Sequence, residues 1–257
     1  MPNDKLPGLT PKALGTGVRA FMSTRDGGVS AAPFHHLNLG RSVGDAPEAV
    51  AENRRRVAQH LGAEPVYLHQ VHGSRCVILN GPTPEPLAAD AAVTATPGLA
   101  VAIQVADCLP VLLTALDPQG RALAVGGAHA GWRSLSGGVL EATVAALREL
   151  APDHFALRAW LGPCIGPEAF EVGEDVLEAF GQRADRPGQH FRYQPRLDGT
   201  PRWRAHLQGL AQDRLHRLGV EGVFGEAACT VSEPLRFFSF RRDGAASGRM
   251  AAFIALG

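Results

Sequence analysis

Residues 99–134, LAVAIQVADCLPVLLTALDPQGRALAVGGAHAGWRS, contain two apolar runs, and each run ends beside a side chain that can bind a metal ion. Residues 101–105 lead into Cys108, and residues 110–116 then continue the first run. Residues 122–128 stop at His129. Apolar runs of this length bounded by turn residues predict buried β-strands. Small residues surround both ends and leave room for a ligand, although a tightly packed sheet core would use the same residues.

The length and composition indicate one globular domain. The chain has 257 residues, of which 45% are hydrophobic, enough to bury one substantial core. We predict a single domain over residues 1–257, with residues 1–15 as an extended tail. Strand and helix patterns mix without strict alternation, which favours an α+β fold of the layered α/β/α kind, with mixed β-sheets flanked by helices.

The secondary-structure pattern outside the central stretch is mixed. It predicts strands at 17–23, 66–71, 75–79, 155–161, 237–241 and 250–256. It predicts helices at 45–62, 136–150, 168–180 and 206–217, with Asp45 and Ser136 as the caps of the first two. Residues 181–202 are polar and without pattern, so we expect a surface loop there.

The charge balance and the N-terminal sequence exclude several kinds of partner. Basic and acidic residues both number 25, and no basic run with interleaved aromatics is present, so we expect no nucleic-acid partner. The N-terminus lacks the apolar segment of a signal peptide, and no stretch approaches the roughly 20 apolar residues of a membrane span. We therefore expect a soluble, cytoplasmic protein that acts on a small molecule, and we expect a monomer.

Lysine and cysteine usage narrows the chemistry. The only lysines are Lys5 and Lys12, both in the predicted tail, which argues against Schiff-base catalysis and a phosphate-binding P-loop lysine. The cysteines are dispersed without Cys-x-x-Cys spacing, at Cys76, Cys108, Cys164 and Cys229. In a chain of this size such spacing indicates reduced thiols rather than a disulfide framework.

His72, Cys108 and His129 are the candidate metal ligands, because each stands at the end of an apolar segment. Their spacing does not match a zinc knuckle, but it suits a site assembled from neighbouring strands. One thiolate and two imidazoles satisfy zinc, and three protein ligands leave a fourth position for water or substrate. Spacing alone equally allows histidines that are packed or hydrogen-bonded in the core.

Cys108 has a second possible role as a nucleophile, with His129 as its base and Asp107 beside it in sequence. The alternative is a buried thiol, a common state of free cysteine. Asp107 could orient an imidazole that binds the metal, or it could turn outward.

Arginine must provide any fixed anion binding in this chain, because its planar fork can bind two oxygens of a phosphate or carboxylate. Arg25, Arg133, Arg241 and Arg242 are candidates, since each stands beside glycine, aromatic or turn residues. For any single arginine, a surface salt bridge is an equally ordinary role. The run Arg54-Arg55-Arg56 is most simply a solvated helix face.

Four motifs, in this order along the chain, resemble the laccase-domain family. They are Gln70-Val71-His72-Gly73, Ala106-Asp107-Cys108-Leu109-Pro110, His129-Ala130-Gly131-Trp132-Arg133 and Gly162-Pro163-Cys164-Ile165-Gly166. Flanking segments at 24–30, 38–40 and 238–242 are also similar, so the resemblance covers nearly the whole chain. Members of this family have been called polyphenol oxidoreductases, purine nucleoside phosphorylases and peptidoglycan editing factors.

The resemblance implies a zinc ion held by the residues that match His72, Cys108 and His129. It implies phosphorolysis of adenosine, inosine, guanosine or methylthioadenosine to the free base and a pentose 1-phosphate, with adenosine deamination as a second activity. On this basis we expect Cys108, His129 and Asp107 to be catalytic. We expect the nucleoside and phosphate to be bound by Arg25, Asn38, Arg133 and Arg241.

Two departures from the family pattern and three alternative functions remain. Ser134 stands where the family often has glycine, and His206 stands where an aspartate is usual, which affects at most a pocket wall and a helix cap. The alternatives are a copper polyphenol oxidase (laccase), which needs more histidine ligands than stand at strand ends, a cysteine hydrolase using Cys108 and His129, and a peptidoglycan editing factor acting in envelope maintenance.

Overall fold

The structure is a computed structural model and describes residues 5–83, 85–151 and 155–257. The helices are α1 (Pro47–Leu61), α2 (Trp132–Ser136), α3 (Val139–Leu150), α4 (Glu174–Ala179), α5 (Leu207–Arg217) and α6 (Phe240–Asp243). The strands are β1 (Gly8–Leu9), β2 (Val18–Ser23), β3 (Glu64–Tyr67), β4 (Cys76–Ile78), β5 (Ala91–Thr94), β6 (Leu99–Val105), β7 (Leu109–Leu116), β8 (Ala122–Ala130), β9 (Ala156–Leu161), β10 (Glu171–Val172), β11 (Phe191–Tyr193), β12 (Trp203–Ala205), β13 (Gly222–Gly225) and β14 (Met250–Leu256).

Two mixed sheets pack face to face at the centre of the fold. The five-stranded sheet has the order β1-β2-β14-β6-β3, and the six-stranded sheet has the order β13-β9-β7-β8-β5-β4. Side chains from both sheets share one buried cluster, in which Ile103 and Ile254 of the first sheet meet Leu112 and Val125 of the second. A small third sheet, β10-β12-β11, lies apart from these two in the strand pairing.

Helices cover the outer faces of both central sheets. Val57 and Leu61 of α1 pack in one cluster with Phe253 of the five-stranded sheet. On the other side, α3 and α5 pack against the six-stranded sheet through residues such as Val144 and Leu215. The predicted mixed sheets flanked by helices are therefore confirmed, and the inner layer consists of two sheets. Among the described residues, no helix combines the length and apolar character needed to cross a bilayer.

The two apolar runs of the central stretch form strands in different sheets. β6 belongs to the five-stranded sheet, whereas β7 and β8 form an antiparallel pair in the six-stranded sheet. The chain crosses from one sheet to the other at residues 106–108, where Asp107 has a φ of 93°. A non-glycine residue at positive φ is uncommon, so the sharp crossover that brings Cys108 to the sheet edge is held by its surroundings.

Three predicted elements differ from the structure. The helix expected at 136–150 begins only at Val139, because Gly138 before it adopts a left-handed conformation with φ 94°, and Ser136 ends α2 instead of capping this helix. The strand expected at 237–241 is wrong: residues 237–239 are irregular and α6 begins at Phe240, with the Ser239 side chain capping it by accepting a hydrogen bond from the Arg242 N–H. The helix expected at 168–180 is only α4, because β10 takes up part of that segment.

Smaller differences concern loops and caps. Asp45 does not cap α1, since its carboxylate accepts hydrogen bonds from the side chains of Ser30 and Asn38. The loop expected at 181–202 contains β11. In the predicted tail, Gly8 and Leu9 pair with β2, and the first four residues lie outside the described part of the chain.

Gly127 lies where the two central sheets touch, and it yields a stability prediction. A Cβ at this position would lie 2.8 Å from Ile103 Cγ1 and 3.0 Å from Val101 Cγ1. We expect Gly127→Ala to lower the free energy of unfolding by about 1–3 kcal/mol, because overpacking a tight core forces side chains off their rotamers. Urea titration measures this. Gly81→Ala is the control, since nothing lies within 4 Å of its Cβ position, and equal loss in both variants would contradict the packing argument.

Candidate metal centre

His72, Cys108 and His129 converge, although they come from three different parts of the fold. Cys108 ends the crossover before β7, His129 lies in β8, and His72 lies in the loop after β3. One ligand atom from each side chain lies within 4.8 Å of the others. Among the described residues, this is the one group of three such side chains whose ligand atoms lie close enough together to hold a metal ion. The structure therefore brings together the three side chains that the sequence singled out.

A buried carboxylate, Asp90, positions both histidines. Oδ1 of Asp90 accepts hydrogen bonds from the backbone N–H of His72 (2.9 Å) and from the Nδ1 of His129 (2.8 Å). Oδ2 accepts from the backbone N–H groups of Val71 (3.1 Å) and Gly73 (2.7 Å). The backbone carbonyl of Asp90 also accepts from the His129 N–H. One residue thus fixes the loop that carries His72 and the ring of His129.

The contact with Asp90 determines which nitrogen His129 can offer. Because the carboxylate occupies Nδ1, Nε2 is the ring nitrogen that remains for a metal ion. His72 points its Nε2 toward the Sγ of Cys108 at 4.0 Å, and the two imidazole rings meet edge to face with centroids 4.8 Å apart. His72 has a φ of 61°, a strained conformation that its N–H bond to Asp90 supports.

The electrostatics of the group favour a thiolate. Burial would raise the pKa of the Cys108 thiol, but the charge and hydrogen bonds of His129, followed by those of His72, outweigh it and lower the pKa to about 6. For His129, burial acts to lower the pKa, and the charge of Cys108 and the bond to Asp90 reverse this and raise it to about 9. Cys108 is therefore mostly ionised at neutral pH, as a metal ligand must be.

The residues present fit a metal ion with an open coordination position. One thiolate and two imidazoles are donors that zinc accepts, and copper accepts the same types. Gly131 leaves the space that the group needs, because a Cβ there would lie 2.9 Å from the Sγ of Cys108. His129 is buried, Cys108 is partly buried and His72 is exposed, so the group opens toward solvent on one side.

A cleft of about 490 Å³ lies on the open side of the three ligands. Its wall includes three arginines, Arg41, Arg54 and Arg249, and two amides, Gln70 and Gln104. This volume is within the range of small-molecule sites. The combination of a metal-binding group, cations and amides suits a polar, anion-containing set of substrates.

Asp107 does not face the metal-binding group through its carboxylate. Its oxygens accept hydrogen bonds from Thr230 Oγ1 (2.6 Å), Ser239 Oγ (3.0 Å) and the Arg241 backbone N–H (2.6 Å). These contacts hold the crossover against the start of α6. The interpretation that Asp107 orients an imidazole is wrong, because Asp90 has that position.

The arginines singled out in the sequence lie outside the lining of the cleft. Arg25 donates to the carbonyls of His35 and Pro234, and Arg241 donates to the carbonyl of Glu171. Arg242 is held by neighbouring carbonyls and Asp243, while Arg133 packs over the ring of Trp132. These contacts are structural and do not direct the guanidinium groups at the metal-binding side chains.

Asn38 is fully buried, and its amide is used within the protein. Its nitrogen donates to the Gly40 carbonyl and to Asp45, and its oxygen accepts from the N–H groups of Gly40 and Arg249. Asn38 therefore positions the cleft wall instead of presenting polar atoms to a ligand, which corrects the expectation that it binds substrate.

The sequence reasoning missed Asp90 and the cleft arginines. Asp90 comes directly before the buried strand β5, and an acidic residue at the end of such a strand is a signal for a hydrogen-bonded carboxylate. Arg54 was expected on a solvated face, yet its guanidinium lies 3.6 Å over the ring of Tyr67 and donates to the Leu39 carbonyl. Arg249 comes directly before β14, and no sequence pattern around it indicated a binding role.

The cysteines are expected to differ in reactivity. Burial raises the pKa of Cys76 to about 12 and that of Cys164 further, whereas Cys108 is mostly thiolate at neutral pH. Iodoacetamide should modify Cys108 of the metal-free protein quickly and leave Cys76 and Cys164 unmodified, as measured by peptide mass spectrometry. Bound zinc should protect Cys108. If Cys108 of the metal-free protein reacted as slowly as Cys76, the thiolate assignment would be wrong.

Removing the charge of Asp90 should weaken metal binding without touching a ligand. We expect Asp90→Asn to reduce zinc affinity by about 10- to 100-fold, because the groups that orient a ligating histidine tune its binding. Competition with a chromophoric chelator measures the affinity, and thermal unfolding of the metal-free variant shows that it is folded.

Asp117→Asn is the matched control, because the Asp117 carboxylate also accepts two backbone N–H bonds but lies in a remote turn. Unchanged zinc affinity in folded Asp90→Asn would show that Asp90 does not position the histidines for metal.

Comparisons with known proteins identify the family of this chain. Residues 19–257 match the model of the family described as multi-copper polyphenol oxidoreductase laccase. A relative from Escherichia coli (strain K12), named Purine nucleoside phosphorylase YfiH, is 45% identical over 240 residues, which cover 93% of each chain. A relative from Xylella fastidiosa (strain Temecula1), named Purine nucleoside phosphorylase, is 45% identical over 255 residues, covering 94% of this chain and 93% of that protein.

Solved structures share the whole fold. The Neisseria meningitidis protein NMB0706 is 43% identical with a TM-score of 0.85, covering 97% of this chain and 98% of that one. YfiH of Bacillus licheniformis is 30% identical with a TM-score of 0.80, covering 96% and 98% of the two chains. Because the family model matches from residue 19 to residue 257 and the likeness extends over the full fold, the chain belongs to the multi-copper polyphenol oxidoreductase laccase family, the laccase-domain family that its motifs resemble.

Proposed function

We propose that the protein is a zinc-dependent purine nucleoside phosphorylase acting on adenosine, inosine, guanosine and methylthioadenosine, with adenosine deaminase as a second activity. The observation that carries the proposal is the convergence of His72, Cys108 and His129 beside a cation-lined cleft of nucleoside size. The names of the relatives support the choice of substrate, since proteins 45% identical over almost the whole chain are named purine nucleoside phosphorylases.

Phosphorolysis exchanges one bond at the anomeric carbon. The bond between C1′ of the ribose and N9 of the purine breaks, and its electron pair leaves with the purine, which takes up a proton. An oxygen of inorganic phosphate bonds to C1′, so that the products are the free base and the pentose 1-phosphate. The protein must hold an anion near C1′ and stabilise negative charge as it develops on the purine.

Zinc held by His72, Cys108 and His129 would supply Lewis acidity, and would activate water for the deamination of adenosine. The residues around it have defined tasks. Asp90 keeps a proton of His129 on Nδ1, so Nε2 is the nitrogen that would give up its proton to face the ion. Burial of Asp90 opposes ionisation, but its hydrogen bonds from His129 and the N–H groups of Gly73 and Val71 lower its pKa, which keeps it a carboxylate at neutral pH.

The cleft offers contacts for a purine. Phe240 is 54% exposed and lines the cleft, so that it presents an aromatic face on which a base can stack. The Gln104 amide is held only weakly, by contacts of 3.5 Å to Arg54 and 3.4 Å to the Leu39 carbonyl. Both atoms of that amide are therefore able to turn to the polar edge of a base.

Copper oxidation of phenols is the second candidate, because the description of the family names a multi-copper oxidase. The same three side chains would hold the copper ion. Against it stands the ligand number, since the described residues offer one group of three donors and a multicopper site needs many histidines. Metal content together with oxygen-dependent oxidation of a phenol separates the two candidates.

Activity should depend on phosphate and on the thiolate. Purified zinc-loaded protein given adenosine and phosphate should release adenine and ribose 1-phosphate, and without phosphate it should release only inosine. Cys108→Ala should lose at least about 100-fold of both activities, because it removes a metal ligand. Chromatography of the products measures this, with Cys76→Ala as the control. A zinc-loaded protein that forms neither adenine nor inosine would contradict the proposal.

A further inference from the structure

Three arginines of the cleft have no carboxylate partner. Arg41, Arg54 and Arg249 line the same cleft as the metal-binding group, and among the described residues none of them forms an ion pair. Within α1, Arg55 and Arg56 both pair with Glu52, whereas Arg54 lines the cleft and pairs with no carboxylate among the described residues. Positive charge gathered in a cleft whose described lining residues include no carboxylate favours an anionic ligand.

The guanidinium of Arg54 is held in place by part of its hydrogen-bond donors. Its Nε and one terminal nitrogen donate to the Leu39 carbonyl at 3.0 and 2.7 Å, and its guanidinium lies 3.6 Å over the ring of Tyr67. The second terminal nitrogen has no partner among the described residues. Burial lowers the pKa of Arg54 to about 10, an effect that Arg41 adds to, so the charged form is under-stabilised by the protein itself.

The guanidinium of Arg249 is also held by the protein and also has unused hydrogen-bond donors. One terminal nitrogen donates to the carbonyls of Ser247 and Gly248, which leaves Nε and the other terminal nitrogen available. Burial lowers the pKa of Arg249, and the nearby charges of Cys108 and Asp107 act in the opposite direction. Arg249 is thus the arginine near the metal-binding side of the cleft.

One backbone segment, residues 38–40, holds the guanidinium of Arg54 and the backbone of Arg249. The Leu39 carbonyl receives Arg54, and the Leu39 N–H donates to the backbone carbonyl of Arg249. The side chain of Arg249 passes over Gly40, where a Cβ would lie 2.7 Å from its Cγ. Asn38 completes this scaffold by accepting from the Arg249 N–H. Few side-chain degrees of freedom remain to be lost when an anion binds.

We propose that Arg54 and Arg249, with Arg41 at the exposed rim, form the binding site for inorganic phosphate in this cleft. This inference rests on the proposed function in one respect, that the bound phosphate acts as the nucleophile. A tetrahedral oxyanion can accept from the free donors of two guanidinium groups at once, which a point charge such as lysine could not provide with the same geometry. The site replaces Arg25, Arg133 and Arg241, which the sequence favoured for this task.

The test measures phosphate dependence separately from nucleoside dependence. In zinc-loaded protein, Arg54→Gln and Arg249→Gln should each raise the phosphate KM at least about tenfold, because each removes a charged hydrogen bond, and should change the inosine KM less than about threefold. Arg41 is exposed, so Arg41→Gln should leave the fold intact and raise the phosphate KM by a smaller factor. Arg148→Gln is the matched control, since Arg148 also donates to a backbone carbonyl but lies outside the cleft.

Equilibrium binding of inorganic phosphate, measured by calorimetry without nucleoside, keeps this inference apart from the proposed function. Phosphate binding that the Arg54 and Arg249 variants lose supports the site even if the wild type shows no phosphorolysis, in which case only the proposed function fails. Phosphorolysis with an unchanged phosphate KM in all three variants overturns the site. If adenosine 5′-monophosphate binds through these arginines and inorganic phosphate does not, the site belongs to a nucleotide and the inference is wrong.

Discussion

The carboxylate of Asp90 is the contact on which the geometry of the centre depends. Burying a carboxylate is unfavourable unless its oxygens are hydrogen-bonded, and Asp90 receives four donors from two different segments of the chain. Three of these donors are consecutive backbone N–H groups, so the loop with His72 is wrapped around the anion. The fourth is the ring of His129. If either histidine moved far, the Asp90 carboxylate would lose hydrogen bonds or become exposed to solvent.

The second constraint is the passage of the chain between two sheets. β6 and β7 are consecutive in sequence but belong to different sheets, and the crossover at 106–108 places Cys108 at their common edge. Glycine in β8 lets the sheets approach closely, and the carboxylate of Asp107 ties the crossover to α6. The ligands are consequently mounted on packed strands and a short anchored loop, which gives a precise site.

The sequence predicted the parts that depend on local pattern. The apolar runs predicted β6, β7 and β8 because buried strands carry continuous hydrophobic residues, and the positions where the runs end predicted Cys108 and His129. Partners distant in sequence could not be predicted in this way. Asp90 lies 39 residues from His129, and nothing in the pattern of either segment shows that their side chains meet. For the same reason the sequence did not indicate Arg249, whose backbone N–H donates a hydrogen bond to Asn38, 211 residues away.

The sequence pattern also failed to predict short segments whose residues fit more than one structure. The aromatic residues Phe237, Phe238 and Phe240 suggested a strand, yet the Ser239 cap and the hydrogen bonds to Asp107 favour a helical turn from Phe240. The Arg54-Arg55-Arg56 run suggested one solvated face, although a helix directs consecutive side chains in different directions, and Arg54 alone turns to the cleft.

Anomalous diffraction at the zinc edge from crystals of the zinc-loaded protein would locate the ion and its ligands. We expect one peak bonded to the Sγ of Cys108 at about 2.3 Å and to a nitrogen of His72 and the Nε2 of His129 at about 2.0–2.1 Å, with Nδ1 of His129 still on Asp90. A peak away from these three side chains, or a His129 bound through Nδ1 and released from Asp90, would contradict this expectation.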